Sequence, residues 1–177
     1  MKNANDNAGV PLRTPLGIDD HIDLRIIELL FFAYRDFTSD PDEILSGYGF
    51  GRAHHRVLHF VNRMPGLTVA ELLDVLNITK QSLARVLKQL VDTGYIVQVP
   101  GLQDRRQREL YPTVKGRELS LALAAPQSRR IRRALQESGQ TGRAAIEDFL
   151  KAMVNPDRRS QIDRLPDSHG GEQKGDD

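Results

Sequence analysis

The chain has no cysteine, which excludes disulfides, thiolate metal sites and thiol-based peroxide sensing. It also lacks the run of ~18 apolar residues that a membrane helix needs, and its N-terminus has no apolar signal-peptide core. A cytoplasmic protein without membrane contact is therefore expected. No nucleophile elbow, phosphate loop or carboxylate pair at catalytic spacing occurs, and no serine has an evident base partner. Neither an enzyme nor a cofactor is expected, and no internal repeat is present.

What is present suffices for one core. Of the 177 residues, 39% are hydrophobic, enough for a compact domain of about 130 to 140 residues. Met1 to Gly17 is rich in Asn, Asp, Gly and Pro, and 155–177 in Asp, Gly, Arg and Ser with almost no large apolar residue. Both ends are expected to be disordered tails around a single domain at 18–154.

Inside that domain, Thr68 and Glu71 have the spacing of a capping box, a hydroxyl and a carboxylate that reciprocally satisfy free backbone donors. A helix is predicted from Val69, with Val69, Leu72, Leu73 and Leu76 on one stripe and Asn77 at its end. A second cap, Thr79, opens a longer helix with the stripe Leu83, Val86, Leu87, Leu90 and Val91, closed by Gly94 as a left-handed residue. Only Asn77 and Ile78 separate the two, the connection of a helix-turn-helix. Lys80, Gln81, Ser82, Arg85 and Lys88 lie off the apolar stripe of the second helix, where a recognition helix meets base edges and phosphates. Any amphipathic helix also has a solvated face of this composition.

The next segment favours the nucleic-acid reading. Tyr95 to Val99 and Glu109 to Tyr111 form two extended runs of a hairpin whose tip, Asp104-Arg105-Arg106-Gln107-Arg108, holds three arginines. Such a cluster repels itself in isolation but finds counter-charge on a phosphate backbone, and an arginine can enter a narrow minor groove. Between Thr79 and Arg108 stand six basic residues and two acidic ones, a local net of +4 against +1 for the whole chain. Positive charge is thus concentrated on the pair of elements that would face DNA. The alternative is a winged-helix protein-interaction adaptor that binds no DNA.

These residues resemble the multiple-antibiotic-resistance regulators (MarR family) from Ile22 to Met153, most densely between Arg52 and Leu119. The most specific piece is Asp104-x-Arg106-x-x-x-Leu110-x-Pro112-Thr113-x-x-Gly116, similar to the family's wing signature. Pro112 departs from it, standing where an apolar residue is usual. Pro65 to Leu72 and Thr79-Lys80-Gln81-Ser82 are similar to the family's first helix and the opening of its recognition helix. The resemblance implies a mainly α fold with a small β-hairpin wing: a winged helix-turn-helix at about 52–113 and dimerisation helices at about 19–38 and 113–154. It implies a homodimeric regulator on a pseudo-palindromic double-stranded DNA operator, with half-sites about one helical turn apart. Thr79, Lys80, Gln81, Ser82, Arg85, Lys88, Asp104, Arg105, Arg106 and Arg108 are the implied DNA-binding residues. Among them Arg106 would enter the minor groove, held by Asp104.

The flanks fit a dimer. Asp20 to Phe37 is apolar on several sides, which calls for more than one packing partner. A long helix from Thr113 toward Leu135, bent at Pro126, and an amphipathic helix over Arg143 to Val154 complete the domain. Asp40 to Gly51 reads as a loop or short turn, followed by a helix over Ala53 to Asn62 carrying His54, His55 and His59. His55 and His59 have the i, i+4 spacing of paired metal ligands, but no acidic residue completes a set nearby, and no metal is expected. By the resemblance, a small-molecule effector pocket would be lined by Phe31, Tyr34, Phe50, His54 and His55.

Overall fold

In the computed structural model, which describes residues 22–101, 104–139 and 142–166, the fold is mostly helical with one small antiparallel sheet. The order is α1 (Leu24–Ser46), α2 (Arg52–Arg63), β1 (Leu67–Thr68), α3 (Val69–Leu76), α4 (Lys80–Asp92), β2 (Ile96–Pro100), β3 (Arg108–Pro112), α5 (Val114–Glu137), α6 (Arg143–Met153), a 3₁₀ turn (Pro156–Arg158) and α7 (Arg159–Asp163). Two compact units divide within α1, the first ending at Asp36 and the second beginning at Phe37.

In the first unit, the Asp23 carboxylate accepts the Ile26 N–H at 2.9 Å as α1 begins. The helix then exposes Ile26, Ile27, Leu29, Phe31, Phe32 and Tyr34, with Phe31 71% accessible.

In the second unit α1 continues to Ser46, where the sequence pattern predicts a loop from Asp40. Pro41 lies inside it, and a proline deprives the carbonyl four residues earlier of its helical donor. That carbonyl, on Phe37, instead accepts the side-chain amide of Gln127 on α5 at 3.1 Å. Beside it, Arg130 of α5 makes two 2.7 Å hydrogen bonds to the Asp40 carboxylate. These bonds hold Asp40 below the usual carboxylate range. Arg52, at the start of α2, is ion-paired with Asp42. The helix thus passes its proline with the help of bonds from α5 and α2, which a local pattern does not reveal.

The core is built around α2, whose Val57, Leu58 and Val61 are fully buried. Leu72 and Leu76 of α3, Leu83 and Leu90 of α4, Ile96 and Leu110 of the sheet, and Leu119 and Leu123 of α5 join the same cluster. Burying stripes of this kind stabilises each helix by about 1.5 to 3 kcal/mol per large apolar side chain. The sheet has the order β1-β3-β2, so β3 is central. The third strand is absent from the sequence reading because β1 is two residues long and exists only by pairing Leu67 with Leu110 and Thr68 with Glu109. Pro112 pairs with Ile96 at the last position of β3. A strand end tolerates its missing N–H.

α5 runs from Val114 to Glu137 as one helix through Pro126. It starts on the Thr113 cap, whose hydroxyl accepts the Gly116 N–H at 3.0 Å and donates to the Gly94 carbonyl at 2.7 Å. A Cβ at Gly116 would lie 2.0 Å from the Tyr95 carbonyl oxygen, so only glycine lets α5 approach the α4–β2 turn this closely. α6 buries no residue and leaves Phe149, Leu150 and Met153 about half exposed. The segment expected as a tail from Asn155 is helical at its beginning. Arg159 donates to the Ala152 and Val154 carbonyls at the end of α6, and Gln161 donates to Asp74 of α3 at 3.0 Å. The expected tails at Met1 to Gly17 and at 167–177 lie outside the described residues.

Candidate nucleic-acid interface

The interface is assembled by caps. Thr68 Oγ1 accepts the Glu71 N–H at 3.3 Å, and Glu71 Oε2 accepts the Thr68 N–H at 2.8 Å, closing the box that starts α3. The Thr68 hydroxyl also donates to Glu71. These hydrogen bonds, with a smaller contribution from the charge of Arg164, hold the Glu71 carboxyl below its usual range. Asn77 ends α3 in the left-handed conformation at φ 49° and ψ 51°. Arg56 of α2 donates to the Leu76 carbonyl at 2.8 Å, fixing the turn from below. No local signal marks Arg56 for this, since its partner is twenty positions away.

Thr79 then caps α4, its hydroxyl accepting the Ser82 N–H at 3.2 Å and donating to the Ser82 hydroxyl at 2.9 Å. Both hydroxyls therefore shape the helix start as well as facing outward. Lys80, Gln81, Arg85 and Lys88 are all exposed, while Leu83, Val86, Leu87 and Leu90 are buried. Lys88 differs from the others because its ammonium is ion-paired with Asp92 one turn on. Gly94 takes the left-handed conformation at φ 77° expected of it. The α4 helix is held from behind by Gln89, whose side-chain oxygen lies 2.9 Å from His54 Nε2. Since His54 Nδ1 accepts the Gly51 N–H at 3.1 Å, the imidazole proton sits on Nε2 and points to Gln89.

The wing tip is tight. Gly101 N–H donates to the Gln107 carbonyl and Gln107 N–H to the Asp104 carbonyl, both at 3.0 Å. A Cβ on Gly101 would lie 2.7 Å from the Asp104 carbonyl oxygen. Asp104 Oδ1 accepts the backbone N–H of Arg106 at 2.9 Å. Asp104 thus shapes the loop backbone, and no ion pair joins it to the Arg106 guanidinium among the described residues. Arg105, Arg106 and Arg108 are exposed and likewise unpaired among the described residues. Arg106, Gln107 and Arg108 share a cleft of about 650 Å³ with Lys80 and with Thr68, Ala70 and Glu71 of the α3 start. The tip and the opening of α4 thus present their cations to one opening.

The residue pattern and the fold meet in the comparisons with known proteins. The description of the MarR family matches residues 48–107. The chain is 46% identical over 142 residues to the HTH-type transcriptional regulator PetP of Rhodobacter capsulatus, covering 80% of this chain and 86% of that protein. This chain belongs to the MarR family of transcription regulators. A crystal structure of MarR superposes with a TM-score of 0.63 at 20% identity, covering 84% of this chain and 99% of that one. A mutant MarR from E. coli complexed with operator DNA gives 0.58 at 21% identity, covering 75% and 95%. At these identities the likeness is one of fold.

The residues expected to line an effector pocket in this MarR-family chain divide between the two units. Phe31 and Tyr34 are exposed on the first. In the second, Phe50 is only 8% accessible, stacked on His54 at 4.7 Å and edge-on to Tyr95 at 5.2 Å. Phe50 and His54 are therefore committed to an aromatic cluster that joins α2 to the end of α4. His55 and His59 are partly buried on α2, and burial, with His59 beside His55 and Arg63 beside His59, pushes both imidazoles below the ordinary value. Among the described residues no group of three or more His, Cys, Asp or Glu gathers around them.

Proposed function

We propose that this MarR-family chain is a homodimeric, sequence-specific double-stranded DNA-binding regulator that acts in the cytoplasm and catalyses no reaction. The observation that carries the reading is the convergence of Lys80, Arg106 and Arg108 on one cleft beside the exposed face of α4, with no ion pair to the arginines among the described residues. Exposed guanidinium groups held together cost electrostatic energy that a polyanion relieves. A protein-interaction adaptor would have no use for that concentration of charge. The dimer is supported by the exposed apolar side chains of α1, α5 and α6, including Phe31, Phe32, Leu121, Phe149 and Leu150.

In this reading Gln81 and Arg85 contact base edges, Lys80 and Arg105 phosphates, and Arg106 the minor groove. Lys88 reaches a phosphate only by leaving Asp92, so its contribution is the smaller of the lysines. Control by a small-molecule effector rests on the accessible rings of Phe31 and Tyr34. Selection of bound duplexes from a random pool tests the proposal. A two-fold symmetric consensus is expected, and Arg106→Ala should lower the preference for flanking A·T pairs more than Arg105→Ala. Recovery of no enriched sequence, or no retention of duplex at low salt, would overturn the reading.

A further inference from the structure

The segment after α6 is fastened to the helix-turn-helix, and its arrangement leaves Arg164 in no ion pair among the described residues. Arg159 is engaged by the last carbonyls of α6, and Gln161 by Asp74 on α3. Arg63 of α2 donates to the Pro166 carbonyl, securing the far end. Between these anchors stands Arg164, exposed and in no ion pair among the described residues. Glu71 feels its charge at a distance but makes no ion pair with it among the described residues, its carboxylate being engaged by the N–H and hydroxyl of Thr68.

The position of Arg164 gives it a use. Met64, Pro65, Gly66, Leu67, Glu71 and Arg164 border one cleft, and Glu71 is shared with the cleft of Lys80, Arg106 and Arg108. The first turn of α3 therefore stands between two openings, each with arginine on its outer wall. A phosphate backbone that follows the wing and the start of α4 meets Arg164 as it passes the start of α3. The remaining charges of the segment are Asp157, Arg158 and Asp163, so the cation is not outweighed locally.

We infer that the C-terminal segment Pro156–Pro166 is part of the DNA-binding lobe and that Arg164 contacts the phosphate backbone beside α3, outside the winged helix. The inference rests on the DNA-binding reading above. Its chemistry is that of a point contact to phosphate, which adds affinity on any sequence and carries no base preference.

Fluorescence anisotropy of full-length protein on a duplex recovered by selection, titrated over a salt series, tests it. Arg164→Ala is expected to weaken binding roughly fivefold per subunit at physiological salt and to make the log–log salt slope shallower by about 0.9 per subunit. Arg164→Lys should restore most of the slope, and the recovered consensus should not change. Weakened binding with an unaltered slope would assign Arg164 a purely structural role and overturn the inference, as would wild-type behaviour of Arg164→Ala. If wild-type protein binds no duplex, the DNA-binding reading itself falls, a result distinct from either.

Discussion

Asp104 Oδ1 accepts the backbone N–H of Arg106 at 2.9 Å, so the aspartate of the wing signature sets the course of the chain through the tip. The acceptor needs to be an oxygen at that position and need not be charged. Asp104→Asn keeps it and removes a negative charge next to DNA, whereas Asp104→Ala removes both. We therefore expect Asp104→Asn to bind operator at least as tightly as wild type. Asp104→Ala should bind about fivefold more weakly than Asp104→Asn, the equivalent of one hydrogen bond of about 1 kcal/mol. Equal affinities for the two variants in anisotropy titrations would mean that the carboxylate acts only through its charge.

The half-exposed face of α6 supplies a second test. Leu150→Glu places a carboxylate among Phe149 and Met153, where a partner subunit would have to desolvate it. Light scattering at micromolar concentration is expected to shift from dimer to monomer, with DNA affinity falling more than tenfold as the second half-site is lost. A variant that stays dimeric would remove α6 from the interface.

Gly116 is the third. Its added methyl would stand 2.0 Å from the Tyr95 carbonyl oxygen, a main-chain atom that cannot rotate away. Gly116→Ala should lower stability by about 2 to 3 kcal/mol, in the upper range of overpacking costs, seen as a lower urea midpoint at unchanged m-value. Wild-type stability would show that α5 can shift its start freely.

The pH dependence follows from His55 and His59. Burial is the main cause of both shifts, and Asp42 only partly opposes it at His55. Their folded values lie below the ordinary 6.5, so the unfolded chain binds more protons as pH falls. The stability is full above about pH 6.5 and declines as pH drops through the folded values. The loss tied to Asp40 and Glu71, whose folded values are also depressed, comes later, below their ordinary 3.8 and 4.5. Urea midpoints measured from pH 7.5 to 5 should fall, and should fall less for His59→Gln. An identical decline in that variant would assign it to other groups.

The helix-turn-helix was legible because its boundaries are local. Thr68, Glu71, Asn77, Thr79 and Gly94 each act within four residues of themselves, and the structure shows every one in the expected role. What stayed hidden depends on distant partners. β1 exists through β3, the turn after α3 is braced by Arg56, α7 is secured by Asp74, and the chain after it by Arg63. The wing is legible as a charged tip, but the Asp104 contact to the Arg106 amide is not, because an aspartate two residues before an arginine can serve its amide or its guanidinium equally well. The ring contacts of Phe50 and His54 depend in the same way on neighbours that a local pattern does not name. Phe50 stacks on His54 at 4.7 Å and meets Tyr95 edge-on, a cluster set by tertiary packing.

Pro41 makes α1 a helix that cannot stand alone. The donor missing at Phe37 is lent by Gln127, ninety positions along the chain, so a stretch that looks like continuous local structure is completed only after α5 has been made and docked. A synthetic peptide spanning 24–46 should therefore lose its helicity around the proline, while the same residues in the whole protein keep it. Amide exchange just before Pro41 would then report on the seating of α5, a readout of a helix ninety positions away along the chain.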